Sequence, residues 1–131
     1  MKVLLDTNIC IAVMRGNEKA VSRLAAMSPG DCGVSTIAVF ELFVGVGKCA
    51  NPPLERAKVT RFLSAMSVLS FDESAAIRAG ELRAEMERNG NSVGPYDMLL
   101  AAHALALGLT FVTHNTTELS RVSGLHLDDW L

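Results

Sequence analysis

Short apolar segments alternate with longer amphipathic segments along the whole chain. Residues 2–5, 32–34, 68–71 and 110–113 are predicted to form buried strands, and residues 124–127 are predicted to form a fifth. Short apolar strands that alternate with helices are typical of a parallel sheet covered by helices on both faces. The pattern therefore predicts an α/β fold, built as a three-layer α/β/α sandwich around a short central parallel sheet.

Helical periodicity fills the intervals between these strands, and capping residues indicate where several helices begin. The predicted helices occupy residues 7–15, 17–28, 36 to about 47, 53 to about 66, 73–88 and 95–108. Ser35 and Asp72 are suited to helix caps, and Pro95 is suited to the first helical position. No repeat and no domain boundary interrupts the pattern, so residues 1–131 are predicted to form a single domain.

Composition and charge narrow the functional classes. Half of the residues are hydrophobic and 20% are charged, which is typical of a globular protein with a formed core. The net charge of −2 argues against nucleic-acid binding through a broadly basic surface. No apolar run approaches a membrane span, the amino terminus does not resemble a signal peptide, and the three cysteines show no paired spacing. A cytoplasmic protein without a membrane partner is expected.

Two acidic residues stand where a parallel sheet places its ligand site, at the carboxyl ends of strands or at helix starts. Asp6 follows the first predicted strand directly, and Asp97 falls in the first turn of the helix that Pro95 opens. Each has a structural alternative, because Asp6 can cap a helix and Asp97 can stabilise a helix dipole.

The chemical argument for a role in the site is stronger for Glu41. It is the only charged residue within the apolar helical stretch 37–44. A buried carboxylate without a partner costs several kcal/mol, so it requires either a basic side chain or a cation. Lys48 lies seven residues further on, too far along a helix for an obvious local ion pair.

More oxygen-bearing side chains follow the fourth strand, at Thr113, Asn115 and Glu118. Asn115 and Glu118 have the spacing of a near capping box, which is compatible with a site role. Clustered carboxylates repel one another unless a cation lies among them, and hard oxygen ligands favour Mg²⁺ or Mn²⁺. The chemistry that fits is metal-assisted hydrolysis of a phosphodiester, in which bound metal also supplies the missing positive charge.

The assembled residues resemble the PIN-domain nucleases and, within them, the VapC toxins of type II toxin–antitoxin pairs. The matching segments span nearly the whole chain and are Leu4-Leu5-Asp6-Thr7-Asn8, Ser35-Thr36 with Phe40-Glu41-Leu42, Gly94-Pro95-Tyr96-Asp97, Val112-Thr113-His114-Asn115-Thr116, and Gly124-Leu125 with Asp129-Trp130.

The resemblance implies a PIN-type sandwich with endoribonuclease activity that depends on one or two Mg²⁺ or Mn²⁺ ions. Asp6, Glu41 and Asp97 would be the core acids and metal ligands, and Thr7 and Thr113 would support them by hydrogen bonding. The substrate would be RNA, as in the enteric VapC group, which cuts initiator tRNA in the anticodon stem-loop. The partner would be a VapB antitoxin whose tail occludes the site, within a homodimer or a toxin–antitoxin hetero-oligomer.

One position departs from the family pattern. Asn115 stands where many PIN domains have an aspartate, and a neutral amide binds a cation more weakly than a carboxylate does. Either the second metal site is weak, or Glu118 takes the fourth acidic role; both residues are candidate catalytic residues.

Two other functions remain open from the residues. A phosphotransfer enzyme or receiver-type domain also needs an acid after the first strand, but it does not need Glu41. A non-catalytic PIN-like RNA-binding module would not need the three acids, and a basic surface would be expected of it.

Overall fold

The computed structural model describes residues 1–131 and contains a sheet of five strands, all parallel. The strands are β1 (Val3–Leu5), β2 (Cys32–Ser35), β3 (Ser67–Leu69), β4 (Thr110–Val112) and β5 (Leu127–Asp128). Their order across the sheet is β3-β2-β1-β4-β5, so β1 lies at the centre. The predicted parallel α/β class is confirmed.

Seven α-helices connect and cover these strands. They are α1 (Thr7–Met14), α2 (Glu18–Ala25), α3 (Thr36–Lys48), α4 (Pro52–Ser64), α5 (Glu73–Arg88), α6 (Pro95–Leu107) and α7 (Thr116–Leu119). The Asp72 carboxylate caps α5 by accepting a hydrogen bond from the Ala75 N–H at 2.9 Å. Gly108 ends α6 with a φ of 68°, a left-handed conformation that favours glycine. None of the helices combines the length and the apolar composition that a membrane span requires.

The core lies on both faces of the two central strands. Leu4, Leu5, Phe111 and Val112 are completely buried. The crossover from β3 to β4 runs back across the sheet, opposite in direction to the crossover from β1 to β2. Because such crossovers are right-handed, they place helices on opposite faces of the sheet. The strand order reverses between β1 and β4, and a ligand crevice is expected at the carboxyl ends of these two strands.

The sequence prediction was wrong in detail at the sheet edges. The third strand ends at Leu69 rather than at residue 71, because the Phe71 N–H donates to the Thr36 hydroxyl at 3.0 Å instead of to a strand. The fifth strand begins at Leu127 rather than at residue 124, since Gly124 has a φ of 79° and lies in a turn. Val68 in β3 is exposed, so this edge strand is not buried on both faces.

The second predicted helix, 17–28, is also shorter than expected. It ends at Ala25, and Pro29–Asp31 form a separate turn of 3₁₀ helix. Ser28 has the extended backbone that a following proline favours, so the helix cannot reach the predicted end at residue 28.

Candidate active site

The strand reversal brings the predicted site residues of β1 and β4 together. Asp6 directly follows β1, and its N–H donates to the Val112 carbonyl in β4 at 2.9 Å. Thr113 follows β4 and is completely buried. The two residues are 107 positions apart in the chain, yet the Thr113 hydroxyl donates to Asp6 Oδ2 at 2.8 Å.

Asp6 is a buried carboxylate, with only 3% of the residue exposed. Its Oδ1 accepts from the Thr7 N–H at 2.7 Å, so Asp6 caps α1 while it takes part in the site. The pKa of Asp6 is raised from an ordinary value of 3.8 to about 6, chiefly by burial and in addition by the negative charges of Asp97 and Glu41. The hydrogen bonds from Thr113 and Thr7 oppose this rise. Asp6 therefore lies within the electrostatic field of two other acids.

Glu41 lies in α3, one turn into the helix, and is half-buried. Its Oε1 accepts from the Thr7 hydroxyl at 2.7 Å. Burial raises the pKa of Glu41, and the charge of Asp97 adds to the effect. The expectation that Glu41 requires either a basic side chain or a cation was incomplete, because a neutral hydroxyl holds one of its oxygens. Its helical face also opens to solvent at Val44 and Gly45.

Asn115 joins two further acids. Its Nδ2 donates to Asp97 Oδ2 at 3.2 Å and to Glu118 Oε2 at 3.1 Å. Asn115 forms no side-chain cap at the start of α7, so the capping-box interpretation of Asn115 and Glu118 was wrong. The amide turns its nitrogen, not its oxygen, toward the carboxylates, because a donor between two negative groups stabilises both.

A buried hydrogen bond fixes the two helices that carry Glu41 and Asp97. His103 Nδ1 in α6 lies 2.9 Å from the hydroxyl oxygen of Ser35, the residue that caps α3. Both side chains are buried. The amino end of α3 is thereby held against α6.

No basic side chain neutralises these acids. The six ion pairs of the protein include none of Asp6, Glu41, Asp97 or Glu118. Only neutral groups donate to them, and no protein group donates to Glu41 Oε2, Asp97 Oδ1 or Glu118 Oε1. These three free oxygens are not buried.

The donor chemistry of the site suits a hard divalent cation, since every candidate ligand is an oxygen. The acids do not form a ready-made cage, because no three acidic, histidine or cysteine side chains come close enough together to hold a metal ion as they stand. Binding a cation therefore requires side-chain adjustment around the free oxygens.

Sequence reasoning missed two features around the acids. The rings of Phe40 and Tyr96, each one residue before an acid, lie with centroids 5.5 Å apart. A cleft of about 510 Å³ extends from Glu41; its other charged lining residues are Glu55 and the two basic residues Arg15 and Lys58, neither of which forms an ion pair. The position of each aromatic residue beside an acid was the only sequence signal for the ring pair.

Comparison with known proteins gives matches over the whole chain. Residues 3–125 match the family model described as PIN domain. The chain is 38% identical to the tRNA(fMet)-specific endonuclease VapC of Shigella flexneri, over 99% of this chain and 98% of that protein. It also resembles a chain of the DNA-bound VapBC crystal structure from Salmonella typhimurium, with a TM-score of 0.95, 38% identity, and coverage of 100% and 99% of the two chains.

Less similar relatives also align with the chain over nearly its whole length. Ribonuclease VapC2 of Rickettsia felis is 33% identical over 99% of this chain and 98% of its own length. A chain of the DNA-bound VapBC2 structure from the same organism has a TM-score of 0.93 at 31% identity, with both chains covered completely.

The raised pKa of Asp6 predicts how the stability of the metal-free protein depends on pH. Between about pH 4 and pH 6 Asp6 is more protonated in the native protein than in the unfolded chain, so its contribution to the free energy of unfolding falls as the pH rises. We expect Asp6→Asn to raise the free energy of unfolding by about 1–3 kcal/mol at pH 7 and to change it little at pH 4. Urea denaturation in EDTA at the two pH values measures the difference.

Glu81→Gln is the control for this experiment, because it removes an exposed carboxylate from α5. It should change the free energy of unfolding by less than about 0.5 kcal/mol at both pH values. If Asp6→Asn raises the free energy of unfolding equally at pH 4 and pH 7, the electrostatic explanation is wrong.

Proposed function

The chain belongs to the PIN-domain family, and we propose that it is a VapC-type toxin, an endoribonuclease that hydrolyses RNA phosphodiester bonds with a divalent metal ion. Relatives that align from end to end carry the names endonuclease VapC and ribonuclease VapC, which supports endoribonuclease activity. The observation that carries the proposal is the group of acids at the carboxyl ends of β1 and β4 without any cationic partner.

We propose Asp6, Glu41 and Asp97 as the ligands of one or two Mg²⁺ or Mn²⁺ ions. A bound ion would stabilise negative charge on the phosphoryl oxygens and lower the pKa of the attacking water. Thr7 and Thr113 hold Glu41 and Asp6 by hydrogen bonds while leaving their negative charge intact.

Asn115 and Glu118 complete the proposed catalytic set. The Asn115 amide donates to both Asp97 and Glu118, so it orients two acids and is not itself placed as a ligand. Glu118 retains a free oxygen, and we assign it the fourth acidic role.

We propose tRNA as the substrate, with the anticodon stem-loop of initiator tRNA as the site of cleavage and translation as the process inhibited. The relatives from Shigella flexneri and Salmonella typhimurium are named tRNA(fMet)-specific, and the chain aligns with both over 99% of its length. Arg15 and Lys58 offer positive charge for the RNA backbone in the cleft beside Glu41. A tRNA substrate also implies that the protein acts in the cytoplasm.

The alternative functions fit the site less well. A receiver-type or phosphotransfer domain requires an acid after β1 but gives no reason for Glu41, Asp97 and Glu118 to gather beside it. A non-catalytic RNA-binding module gives no reason to retain four acids that oppose RNA binding by their charge.

The first test is the dependence of cleavage on metal and on Asp97. We expect RNA cleavage in Mg²⁺ or Mn²⁺ that stops in EDTA and falls at least about 100-fold in Asp97→Asn, because the ligand charge is lost. Incubation of the purified protein with total RNA, in each metal or in EDTA, measures the activity, and mapping the cut ends after brief expression identifies the target. The variant should retain the circular dichroism spectrum of the parent, and undiminished cleavage by a folded Asp97→Asn protein would exclude the mechanism.

The second test ranks the two candidates for the fourth acidic role. We expect Glu118→Gln to weaken Mn²⁺ binding more than Asn115→Ala does, because the first removes a charged oxygen and the second removes only a neutral donor. Calorimetric titration of each variant with Mn²⁺ gives the two dissociation constants directly. The opposite ranking would return the fourth role to Asn115.

We further propose that the antitoxin occupies an apolar groove on the face formed by α1, α2 and α4. The groove measures about 930 Å³ and includes Met14, Leu24 and Phe62 in its walls, with Lys58 and Arg61 among its lining residues. Related solved structures are named as VapBC complexes. A helix with an apolar face and acidic flanks matches both the walls and the charges of this groove.

A charge placed in the groove tests this assignment. Ala57 is exposed and lines the groove, so Ala57→Glu should leave the fold intact and weaken antitoxin binding at least about tenfold, since it buries a charge against apolar surface. Ala84→Glu, on the exposed face of α5, is the matched control. The measurement is co-purification and titration with a VapB-type antitoxin. Equal binding by the two variants would place the antitoxin elsewhere.

A further inference from the structure

Two aromatic side chains lie exposed at the rim of the acidic site. Phe40 in α3 is 49% exposed and Tyr96 in α6 is 45% exposed. Their ring centroids are 5.5 Å apart and their planes make an angle of 55°. The rings contact each other, yet about half of each residue faces solvent, so hydrophobic burial alone does not explain their position.

The position of the pair is tied to the catalytic acids. Phe40 immediately precedes Glu41, and Tyr96 immediately precedes Asp97. Neighbouring residues on a helix point about 100° apart, so each ring lies beside its acid and not among the acids. The pair therefore bridges the same two helices that carry two of the proposed metal ligands.

We propose that Phe40 and Tyr96 form a stacking platform for an unpaired nucleobase of the RNA, next to the phosphate that is cut. This inference rests on the proposed ribonuclease function and adds the kind of RNA that the site accepts. Aromatic side chains at the surface recognise single-stranded loops by stacking on splayed-out bases, which a regular duplex does not offer.

Charge gives a reason for such a platform. The chain has a net charge of −2, and the four acids at the site repel the phosphates that must approach them. Stacking on a nucleobase does not depend on charge, so it adds affinity where phosphate contacts are weakest. It also tolerates any base, because every base has a π-face.

A second copy of this chain is a less suitable occupant. Stable protein interfaces bury about 800 Å² on each partner. Two half-exposed aromatic residues present on the order of 200 Å². Val44, one turn further along α3, is 38% exposed and adds little to this area. The patch has the size of a nucleobase contact.

The test compares an RNA stem-loop with a fully paired RNA of equal length. The stem-loop carries 2-aminopurine in its loop, and binding is measured in Mg²⁺ with Asp97→Asn protein, so that the RNA stays intact. We expect Phe40→Leu combined with Tyr96→Leu to weaken stem-loop binding roughly tenfold and to abolish quenching of 2-aminopurine. Binding of the duplex should change less than about twofold. Tyr96→Phe, which keeps the ring, should bind and quench as the Asp97→Asn protein does.

Leu107→Ala is the matched control, because Leu107 is 48% exposed and lies at the opposite end of α6. It should alter neither affinity nor quenching. An equal loss for both RNAs, or quenching that survives in the double Leu variant, would overturn the platform.

Sedimentation of the same proteins tests the other occupant. If the double Leu variant dissociates a dimer while its affinity for both RNAs is unchanged, the patch is an interface between copies, and the proposal is wrong. The ribonuclease function is tested separately by cleavage with the parent chain. Cleavage of the stem-loop by the parent, together with unchanged binding in the double Leu variant, rejects the platform alone. Absence of both cleavage and RNA binding in the parent rejects both proposals.

Discussion

The crowding of uncompensated carboxylates at one end of the sheet is the constraint on which the rest of the site depends. Asp6 is buried at the end of the central strand, and Asp97 and Glu41 raise its pKa by their charge. Such an arrangement opposes folding of the metal-free chain near neutral pH. The buried centre of the sheet, with Leu4, Leu5 and Phe111, provides the stability that allows it. Electrostatic repulsion of this kind does not stabilise the fold, and it is expected at functional sites.

The donors that hold these acids are all neutral. Thr7, Thr113 and Asn115 fix carboxylate oxygens without cancelling their charge. A lysine or arginine at any of these positions would stabilise the apo-protein, but it would also occupy the place of a metal ion. Neutral donors therefore meet two requirements together, because they orient the acids and keep the site negative enough to attract a divalent cation.

Local sequence patterns were sufficient for the central sheet, for most helices, for Asp6 at a strand end and Asp97 at a helix start, and for Glu41 within an apolar helix. They failed at the two edge strands. β3 pairs with β2 alone and ends at Leu69, and a turn at Gly124 delays the start of β5. They also misinterpreted Asn115, because its partner Asp97 lies 18 residues away and only the tertiary fold brings the start of α7 near the start of α6. The contact between Phe40 and Tyr96 likewise depends on the packing of α3 against α6, which no periodicity within either helix could indicate.

The site is negatively charged, and so is an RNA substrate. The groups that bind the RNA therefore have to differ from the acids proposed for catalysis. The acids themselves repel RNA and attract it only through a bound cation, so part of the affinity has to come from their surroundings. Arg15 and Lys58 offer phosphate contacts on the side of Glu41 that faces the cleft, and these contacts weaken as salt rises. The ring pair at Phe40 offers a contact that salt affects little, because it depends on stacking. RNA bound by both would lie close to the acids that we propose as metal ligands. In this arrangement the recognised feature is an unpaired base beside a charged backbone, which is the form that RNA takes in a loop.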